Sequence, residues 1–371
     1  MKKGKLLSLL LAGAMAAALF AGCGGGDKGG NGDGGDPDDT GNITGSNPGD
    51  NEGGGGGGQT TIDTSAKFNG KIYVVGDSTV CNFGSTDDAL YIPRYGYGTQ
   101  ISSYINVLSA NVKNLALSGR SSYSFTKESN YYTFTGGINS DDYLFIGFGH
   151  NDEKYEVDRY ADPTLASDDK TEMIGTYDAN REVSFKYILK HYYIDIAKAA
   201  GATPVLCTPI VRLNKDSSKY DTDHITSDKT NYKDSTSGVT TDWKGGNYAQ
   251  AIRELAEEEG LTCIDLTTTT KNDYKAIGYD EAVKYHSIKA GKWTDDSKTA
   301  IEPDLGSADN THTNLYGAKM NAYHIANAIK SSNLSLASSV KTNNTKPVYS
   351  DYATDMVNSD YEVPSNEPFK P

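Results

Sequence analysis

Short apolar runs beyond residue 66 restrict the fold of this 371-residue chain more than any other feature. Each run has the length of a β-strand, and most of them end in Gly, Pro, Ser or Asp, which commonly terminate strands. The runs are Lys71–Val75, Val112–Leu117, Tyr143–Gly147, Thr203–Cys207 and Leu261–Asp265. The sequence therefore predicts five strands.

Apolar residues recur at helical spacing in segments between and after these runs. The segments are Tyr97–Leu108, Asn180–Ala200, Asn247–Glu259 and Leu315–Ser331. Alternation of strands and helices predicts a parallel sheet covered on both faces. We therefore expect an α/β fold, a three-layer αβα sandwich with a five-stranded parallel sheet, whose ligands bind beyond the carboxyl ends of the strands.

Three polar segments are longer than ordinary connections, at residues 153–179, 213–245 and 268–308. We interpret them as loops or lids over one end of the sheet. The chain after Ser331 is polar and proline-rich. The predicted folded domain is thus 67–331, followed by a C-terminal extension at 332–371 that wraps the surface or stays loose.

Residues 1–22 have the layout of an export signal, with three lysines among the first five residues and then the apolar run Leu6–Ala21. The end of this segment, Leu19–Cys23, is similar to the lipobox of bacterial lipoproteins, in which the cysteine is lipidated. We therefore expect a lipid anchor at Cys23 and a protein on the extracellular face of a bacterial membrane. An ordinary cleaved signal peptide with a chance cysteine is the alternative.

Residues 23–66 are almost free of apolar side chains, and residues 1–60 hold 20 of the 40 glycines. Such a composition cannot bury enough surface to offset the entropy of ordering the chain. We predict a disordered linker here, which leaves the Cys23 lipid as the only membrane attachment.

The net charge of −14 makes nucleic acid an unfavourable partner, because a polyanion would be repelled. After residue 22 no apolar run approaches the roughly 20 residues that span a bilayer. Besides Cys23 the chain has three cysteines, Cys81, Cys207 and Cys263, and an odd number cannot all pair within one chain. Because Cys207 and Cys263 lie in apolar runs, we favour buried free thiols over a disulfide. We expect a monomeric domain without a zinc or redox site.

Four short polar segments follow the positional rule for ligand sites. They are Gly76–Thr79, Ser118–Ser121, Gly149–Asp152 and Asp309–His312. Each one alone is better explained as a turn or a helix cap. Together they predict a reaction centre, because three follow strands directly and the fourth precedes the last helix.

The residue types in these segments suit acyl transfer. A serine hydroxyl such as that of Ser78 needs an imidazole to take its proton, and the imidazole needs a carboxylate on its other nitrogen. Asp309 and His312 are three residues apart and can lie on one side of a single turn. The backbone N–H groups of Ser78 and Gly119 and the side-chain amide of Asn151 could stabilise an oxyanion.

The four segments resemble those of the SGNH (GDSL-type) hydrolases, and in particular the rhamnogalacturonan acetylesterase-like branch, from about Lys71 to Ser331. The segments typical of this branch are Asn114–Ser122, Gly147–Asp152, Gly201–Pro204 and Asn310–Asn314. A fifth segment, Gly96–Gln100, is only similar to a GWGQ-like segment of the branch. The resemblance implies a flavodoxin-like fold and places Ser78 at the nucleophile, Gly119 and Asn151 at the oxyanion positions, and Asp309 and His312 at the acid–base pair. It implies no metal and no organic cofactor.

The resemblance implies a serine esterase that removes O-acetyl groups from a plant-wall polysaccharide, and the expected lipid anchor places it at the cell surface. Rhamnogalacturonan or a related pectin is the first candidate substrate, and acetylated xylan or another neutral glycan is the second. The acidic domain disfavours a polyanionic pectin unless positive charge around Arg94, Arg120 or Arg212 reverses the local field. A lipase or thioesterase, and a non-catalytic glycan-binding surface protein, are the alternatives of another class.

Other residues receive lesser roles. We expect Asp77 and Asp152 to brace turns and His150 to support the site. We interpret the remaining histidines as helix residues (His191, His324) or as residues of polar loops (His224, His286). Aromatic residues that either line the mouth of the site or cover the surface are Tyr91, Tyr95, Tyr97, Tyr123, Tyr131, Tyr132 and Phe134, and the lid candidates are Trp243 and Trp293.

Overall fold

The computed structural model of the protein describes residues 62–87, 90–169, 183–293 and 301–347, together with Val357. The predicted signal peptide, the predicted lipidation site Cys23 and almost all of the predicted linker lie outside the described residues. Among the described residues, no helix has both the length and the apolar character that a membrane span requires.

The strands are β1 (Ile72–Gly76), β2 (Val112–Asn114), β3 (Tyr143–Gly147), β4 (Thr203–Cys207), β5 (Lys229–Lys233), β6 (Thr240–Trp243), β7 (Thr262–Ile264), β8 (His286–Ile288), β9 (Gly291–Trp293), β10 (Ile301–Pro303) and β11 (Ala308–Thr313). The α-helices are α1 (Ile101–Tyr104), α2 (Ser122–Phe125), α3 (Ser129–Gly137), α4 (Phe185–Leu189), α5 (Asp195–Ala199), α6 (Tyr248–Glu259), α7 (Leu266–Ile277), α8 (Tyr279–Ala282) and α9 (Leu315–Lys330). A π-helical segment, Lys190–Ile194, joins α4 to α5.

The central sheet has five strands in the order β2-β1-β3-β4-β7, and every pair is parallel. All residues of β1 and β3 are buried, as expected for strands that have neighbours on both sides and helices on both faces. The fold prediction, an α/β sandwich with a five-stranded parallel sheet, is confirmed.

Two hydrophobic clusters lie on opposite faces of this sheet, because alternate strand residues point to opposite sides. On one face, Tyr73 and Ile146 pack with residues of α2, α3, α4, α5 and α6. On the other face, Val74 and Phe145 pack with residues of α1 and α9. The second cluster also includes Leu336 and thus extends beyond Ser331.

The segment 268–308, interpreted as a loop or lid, is the clearest error of the sequence interpretation, because it contains most of α7 together with α8, β8 and β9. Threonines occupy four successive positions early in α7, and β-branched residues have low helix propensity. The helix forms because the Asp265 side chain caps it by accepting from the Thr268 N–H, and because Leu266 and Tyr274 are buried.

Two other segments also differ from the prediction. The first predicted helix is only a 3₁₀ turn, Tyr97–Gln100, followed by α1, because Ile105 and Val107 form extended bridges with Val340 and Phe68. The predicted loop 213–245 contains the antiparallel hairpin of β5 and β6. Cys81, Cys207 and Cys263 are free thiols, and Cys263 is half-buried.

Gly147, at the end of β3, provides the space for the Tyr97 hydroxyl. A Cβ at this position would lie 2.1 Å from Tyr97 Oη, and the next neighbours are Val80 Cγ2 at 3.2 Å and Tyr97 Cζ at 3.4 Å.

We expect Gly147→Ala to lower the free energy of unfolding by about 1 to 3 kcal/mol through overpacking. In a Tyr97→Phe background the same substitution should cost much less, because the blocking oxygen is gone. Urea unfolding of the four proteins measures both costs, and equal costs would contradict this explanation.

Candidate active site

Three of the four polar segments emerge from the same edge of the sheet. Gly76 and Gly147 are paired at the ends of β1 and β3, and the Leu117 N–H donates to Gly76 O at 3.1 Å. The turns that carry Ser78, Gly119 and Asn151 therefore begin at the ends of three neighbouring strand segments, at the same level of the sheet.

Asp77 fixes the turn that carries Ser78. Its Oδ1 accepts from the Thr79 N–H at 2.9 Å and from the Thr79 hydroxyl at 2.8 Å. Its carbonyl accepts from the N–H groups of Val80 and Cys81, both at 3.1 Å. These bonds fix the backbone of the turn from which the Ser78 side chain projects at the strand end.

A chain of hydrogen bonds connects Ser78, His312 and Asp309. His312 Nε2 lies 2.8 Å from Ser78 Oγ, and His312 Nδ1 lies 2.8 Å from Asp309 Oδ2. Asp309 Oδ1 accepts from the N–H groups of Thr311 and His312 at 2.8 and 3.0 Å. Despite burial, these donors hold the pKa of Asp309 well below its usual range, so the carboxylate is ionised.

The backbone that brings Asp309 and His312 together is an irregular strand and not the single turn that their spacing suggested. Both residues lie in β11, whose pairing with β8 changes register between Ala308 and Thr313. The irregular backbone brings the two side chains into contact. The Asp309 carboxylate stabilises this backbone by accepting from the N–H groups of Thr311 and His312.

His286 lies directly behind Asp309, which sequence interpretation missed because the surrounding segment is polar. Its Nδ1 is 2.8 Å from the Asp309 carbonyl and therefore donates, and its Nε2 accepts from the Tyr274 hydroxyl at 2.7 Å. Burial lowers the pKa of His286 to about 4, so the ring is neutral at pH 7. Strand β8 places it there, with no feature of the sequence to single it out.

The predicted oxyanion donors border the Ser78 turn. Gly119 has φ +75°, a conformation that favours glycine. Within the described part of the chain, the N–H groups of Ser78 and Gly119 have no acceptor. The Asn151 amide donates one hydrogen to Arg120 O at 3.1 Å, and its oxygen accepts from Arg159 at 3.4 Å. Its second amide hydrogen is left for a ligand.

A buried polar cluster lies behind these turns. His150 Nδ1 is 3.5 Å from Asp77 Oδ2, and the His150 ring contacts the His224 ring with centroids 4.7 Å apart. His224 bonds to Glu153 Oε2 at 3.2 Å and to Ile210 O at 2.7 Å. His224 lies in a loop as predicted but is buried, whereas His286 is buried in strand β8, so its assignment to a loop is wrong. Burial lowers the pKa of His150.

The three arginines considered as sources of positive charge are all paired. Arg94 binds Asp87, Arg120 binds Glu128, and Arg212 binds both Glu153 and Asp223. Their charges are therefore locally balanced, and none forms the basic patch considered from the sequence.

Most of the aromatic candidates for the mouth of the site are core residues. The buried ones are Tyr91, Tyr97, Tyr123, Tyr131 and Phe134. Tyr95 is half-buried, whereas Tyr132 is 64% exposed. Trp243 is not a mobile lid residue, because it is buried with its ring 4.9 Å from that of Tyr160. Phe83, which the sequence did not single out, packs edge-on against His312 at 5.7 Å.

The family model described as GDSL-like Lipase/Acylhydrolase matches residues 72–325. The chain belongs to this family. The predicted resemblance to SGNH (GDSL-type) hydrolases is thus confirmed at the family level.

Across the described residues, no group of three or more His, Cys, Asp or Glu side chains is arranged to hold a metal ion.

Two relatives from Bacillus subtilis (strain 168) align with most of this GDSL-like domain. The probable rhamnogalacturonan acetylesterase YesY is 26% identical over 270 residues, which are 72% of this chain and 96% of that protein. The rhamnogalacturonan acetylesterase RhgT is 27% identical over 266 residues, 72% and 92% of the two chains. The crystal structure of YxiM from the same species is 21% identical, with a TM-score of 0.45, and the match covers 71% of this chain and 57% of that one.

Asp152 makes the free energy of unfolding depend on pH. Its Oδ1 accepts from the Ser122 N–H at 2.9 Å and from the Ser122 hydroxyl at 2.5 Å, while its buried Oδ2 has no partner among the described residues. Burial raises the pKa of Asp152 to about 7. Because the unfolded value is about 3.9, the folded chain holds an extra proton between about pH 4 and 7, and stability falls as pH rises through this window.

Asp152→Asn keeps the acceptor for Ser122 but cannot ionise. We expect the wild type to lose on the order of 2 to 4 kcal/mol relative to this variant as pH rises from about 4 to 7, at about 1.4 kcal/mol per pKa unit. Urea unfolding of both proteins across this range provides the measurement. A difference in unfolding free energy that does not change with pH would contradict the assignment.

Proposed function

We propose that the protein is a serine esterase that removes O-acetyl groups from a plant-wall polysaccharide, most simply rhamnogalacturonan or a related pectin. The observation that carries this proposal is the hydrogen-bonded chain from Ser78 through His312 to Asp309. The rhamnogalacturonan acetylesterases among the relatives support the choice of substrate.

The proposed reaction proceeds in two halves. Ser78 Oγ attacks the acetyl carbonyl carbon while His312 Nε2 takes the hydroxyl proton, and the tetrahedral intermediate expels the sugar oxygen, which receives that proton. Water then gives a proton to His312 and attacks the acetyl-serine. Acetate leaves, and the proton returns to Ser78 Oγ.

The surrounding groups stabilise the charges that develop. Asp309 orients the ring and stabilises the imidazolium, as its ionised state allows. The N–H groups of Ser78 and Gly119 and the free amide hydrogen of Asn151 are donors for the oxyanion, and loss of one such donor typically costs about 10²- to 10³-fold in turnover. Neutral His286 holds the Asp309 backbone without adding positive charge that would compete with His312.

We expect Ser78→Ala to lose nearly all acetate release from acetylated rhamnogalacturonan while remaining folded, because the attacking oxygen is removed. Ser103→Ala, an exposed serine on α1, is the matched control and should retain full activity. A fluorophosphonate probe should label the wild type and the control but not Ser78→Ala.

Nitrophenyl esters of increasing chain length separate this proposal from a lipase. Faster cleavage of butyrate or longer esters than of acetate would contradict the deacetylase proposal. Labelling by the probe without acetate release from any acetylated pectin or xylan would contradict the substrate class. Absence of labelling would favour a glycan-binding protein without esterase activity.

We also propose that the enzyme works on the outer side of a bacterial membrane, attached through Cys23. The support is the order of the sequence: a basic start, an apolar run, Cys23, and then a polar glycine-rich segment. In a bacterial host, the wild type should incorporate radiolabelled palmitate and sediment with membranes. Cys23→Ala should lose both properties, whereas Cys263→Ala should keep them. Labelling that persists in Cys23→Ala would contradict the anchor.

A further inference from the structure

A groove runs beside the site under the β5–β6 hairpin. Residues that line it include Lys154, Tyr155, Arg212, Thr226, Tyr232 and Ser235. We call it the hairpin groove.

The hairpin groove is linked by backbone hydrogen bonds to two of the segments that carry the site. On one side, the Lys154 N–H donates to the carbonyl of Asn151 at 3.2 Å, so a lining residue of the groove is bonded to the backbone of this oxyanion donor. On the other side, Leu213, which follows the lining residue Arg212, donates its N–H to Asn310 O at 2.7 Å, next to Asp309. A polymer whose acetyl group reaches Ser78 can therefore place its neighbouring sugars in this groove.

The charges along the groove are paired with one exception. Arg212 binds Glu153 and Asp223, and Glu156 binds Arg159 at 3.1 Å. In the portion of the chain that the structure describes, the ammonium group of Lys154 has no anionic partner.

The surroundings of Lys154 favour an incoming anion. The Lys154 side chain is exposed and accessible to an anion, and desolvation and the nearby Arg159 lower its pKa. Since the domain is acidic overall, this local cation is the feature that could attract a negatively charged polymer.

Aromatic faces in the groove suit sugar rings. The rings of Tyr155 and Tyr232 have centroids 5.5 Å apart, and Tyr232 is 41% exposed. Tyr155 is held in place because its hydroxyl donates to Ser227 O and Trp243 packs behind it at 6.3 Å. Rigid aromatic surfaces with polar tips are well suited to carbohydrate contacts.

We propose that the hairpin groove binds the sugars next to the acetylated one and that Lys154 forms an ion pair with the carboxylate of a uronic acid among them. This inference rests on the proposed function. Lys154 is then a specificity-determining residue, which distinguishes acidic from neutral polysaccharides by a charge-assisted hydrogen bond and takes no part in the acyl transfer.

Lys154→Met tests the ion pair, because it removes the charge and keeps an apolar stem of similar length. We expect KM for acetylated rhamnogalacturonan oligosaccharides to rise about tenfold with kcat within about twofold, which corresponds to roughly 1.4 kcal/mol. KM for acetylated xylan and for 4-nitrophenyl acetate should stay unchanged. Lys154→Arg should keep KM near the wild-type value.

Lys244→Met is the matched control, because Lys244 is exposed and pairs with Asp228 outside the groove lining. It should leave all three KM values unchanged. Wild-type KM for the acidic oligosaccharide should rise with salt, and that rise should be smaller in Lys154→Met. An unchanged KM for the acidic substrate in Lys154→Met, or an equal rise on xylan, would overturn the inference.

A binding measurement separates this inference from the proposed function. Ser78→Ala should bind deacetylated rhamnogalacturonan oligosaccharides in calorimetry about tenfold more tightly than Ser78→Ala combined with Lys154→Met. Equal affinities, or no binding by either protein, would overturn the role of Lys154 even if the wild type releases acetate. A difference in affinity without acetate release from any polysaccharide would keep the groove assignment and overturn the esterase proposal.

Discussion

The parallel pairing of β1 with β2 and β3 is the constraint on which the site depends. Parallel strands end at the same edge, so the register that opposes Gly76 to Gly147 also brings the Ser78 and Asn151 turns to one level. The remaining reactive groups come from β11, outside this sheet. The site therefore joins the edge of the sheet to an irregular strand, and Asp309 Oδ1 stabilises the shape of that strand by accepting from two of its backbone N–H groups.

Charge is distributed so that the ionisable groups directly behind His312 keep one protonation state near neutral pH. Asp309 is ionised, and His286 behind it is neutral because of burial. Arg212 lies between two carboxylates and is thereby neutralised locally. Such an arrangement leaves His312 as the ring placed to exchange a proton with Ser78, because its two nitrogens face a hydroxyl and a carboxylate.

The sequence predicted those features that depend on residues close together in the chain. The buried strands are continuous apolar runs, and Ser78, Gly119 and Asn151 follow them directly, so both were predictable. Helix α7 was not, because its threonines argue against a helix and only the Asp265 cap and tertiary burial stabilise it. His286 was missed for a related reason: its partners, Asp309 and Tyr274, come from other elements, and such contacts leave no periodic pattern in the chain.

The β5–β6 hairpin is joined to the body of the domain by the packing of Trp243 against Tyr160 and Tyr155 and by a hydrogen bond from the Val157 N–H to Asp234 Oδ2 in the hairpin turn. In the described structure its two strands pair only with each other. Insertions, deletions or substitutions in the hairpin can therefore accumulate without disturbing the hydrogen bonds of the central sheet. Divergent members of such a lineage could acquire different polymer preferences by remodelling this one appendage, while the acyl-transfer chemistry is inherited unchanged.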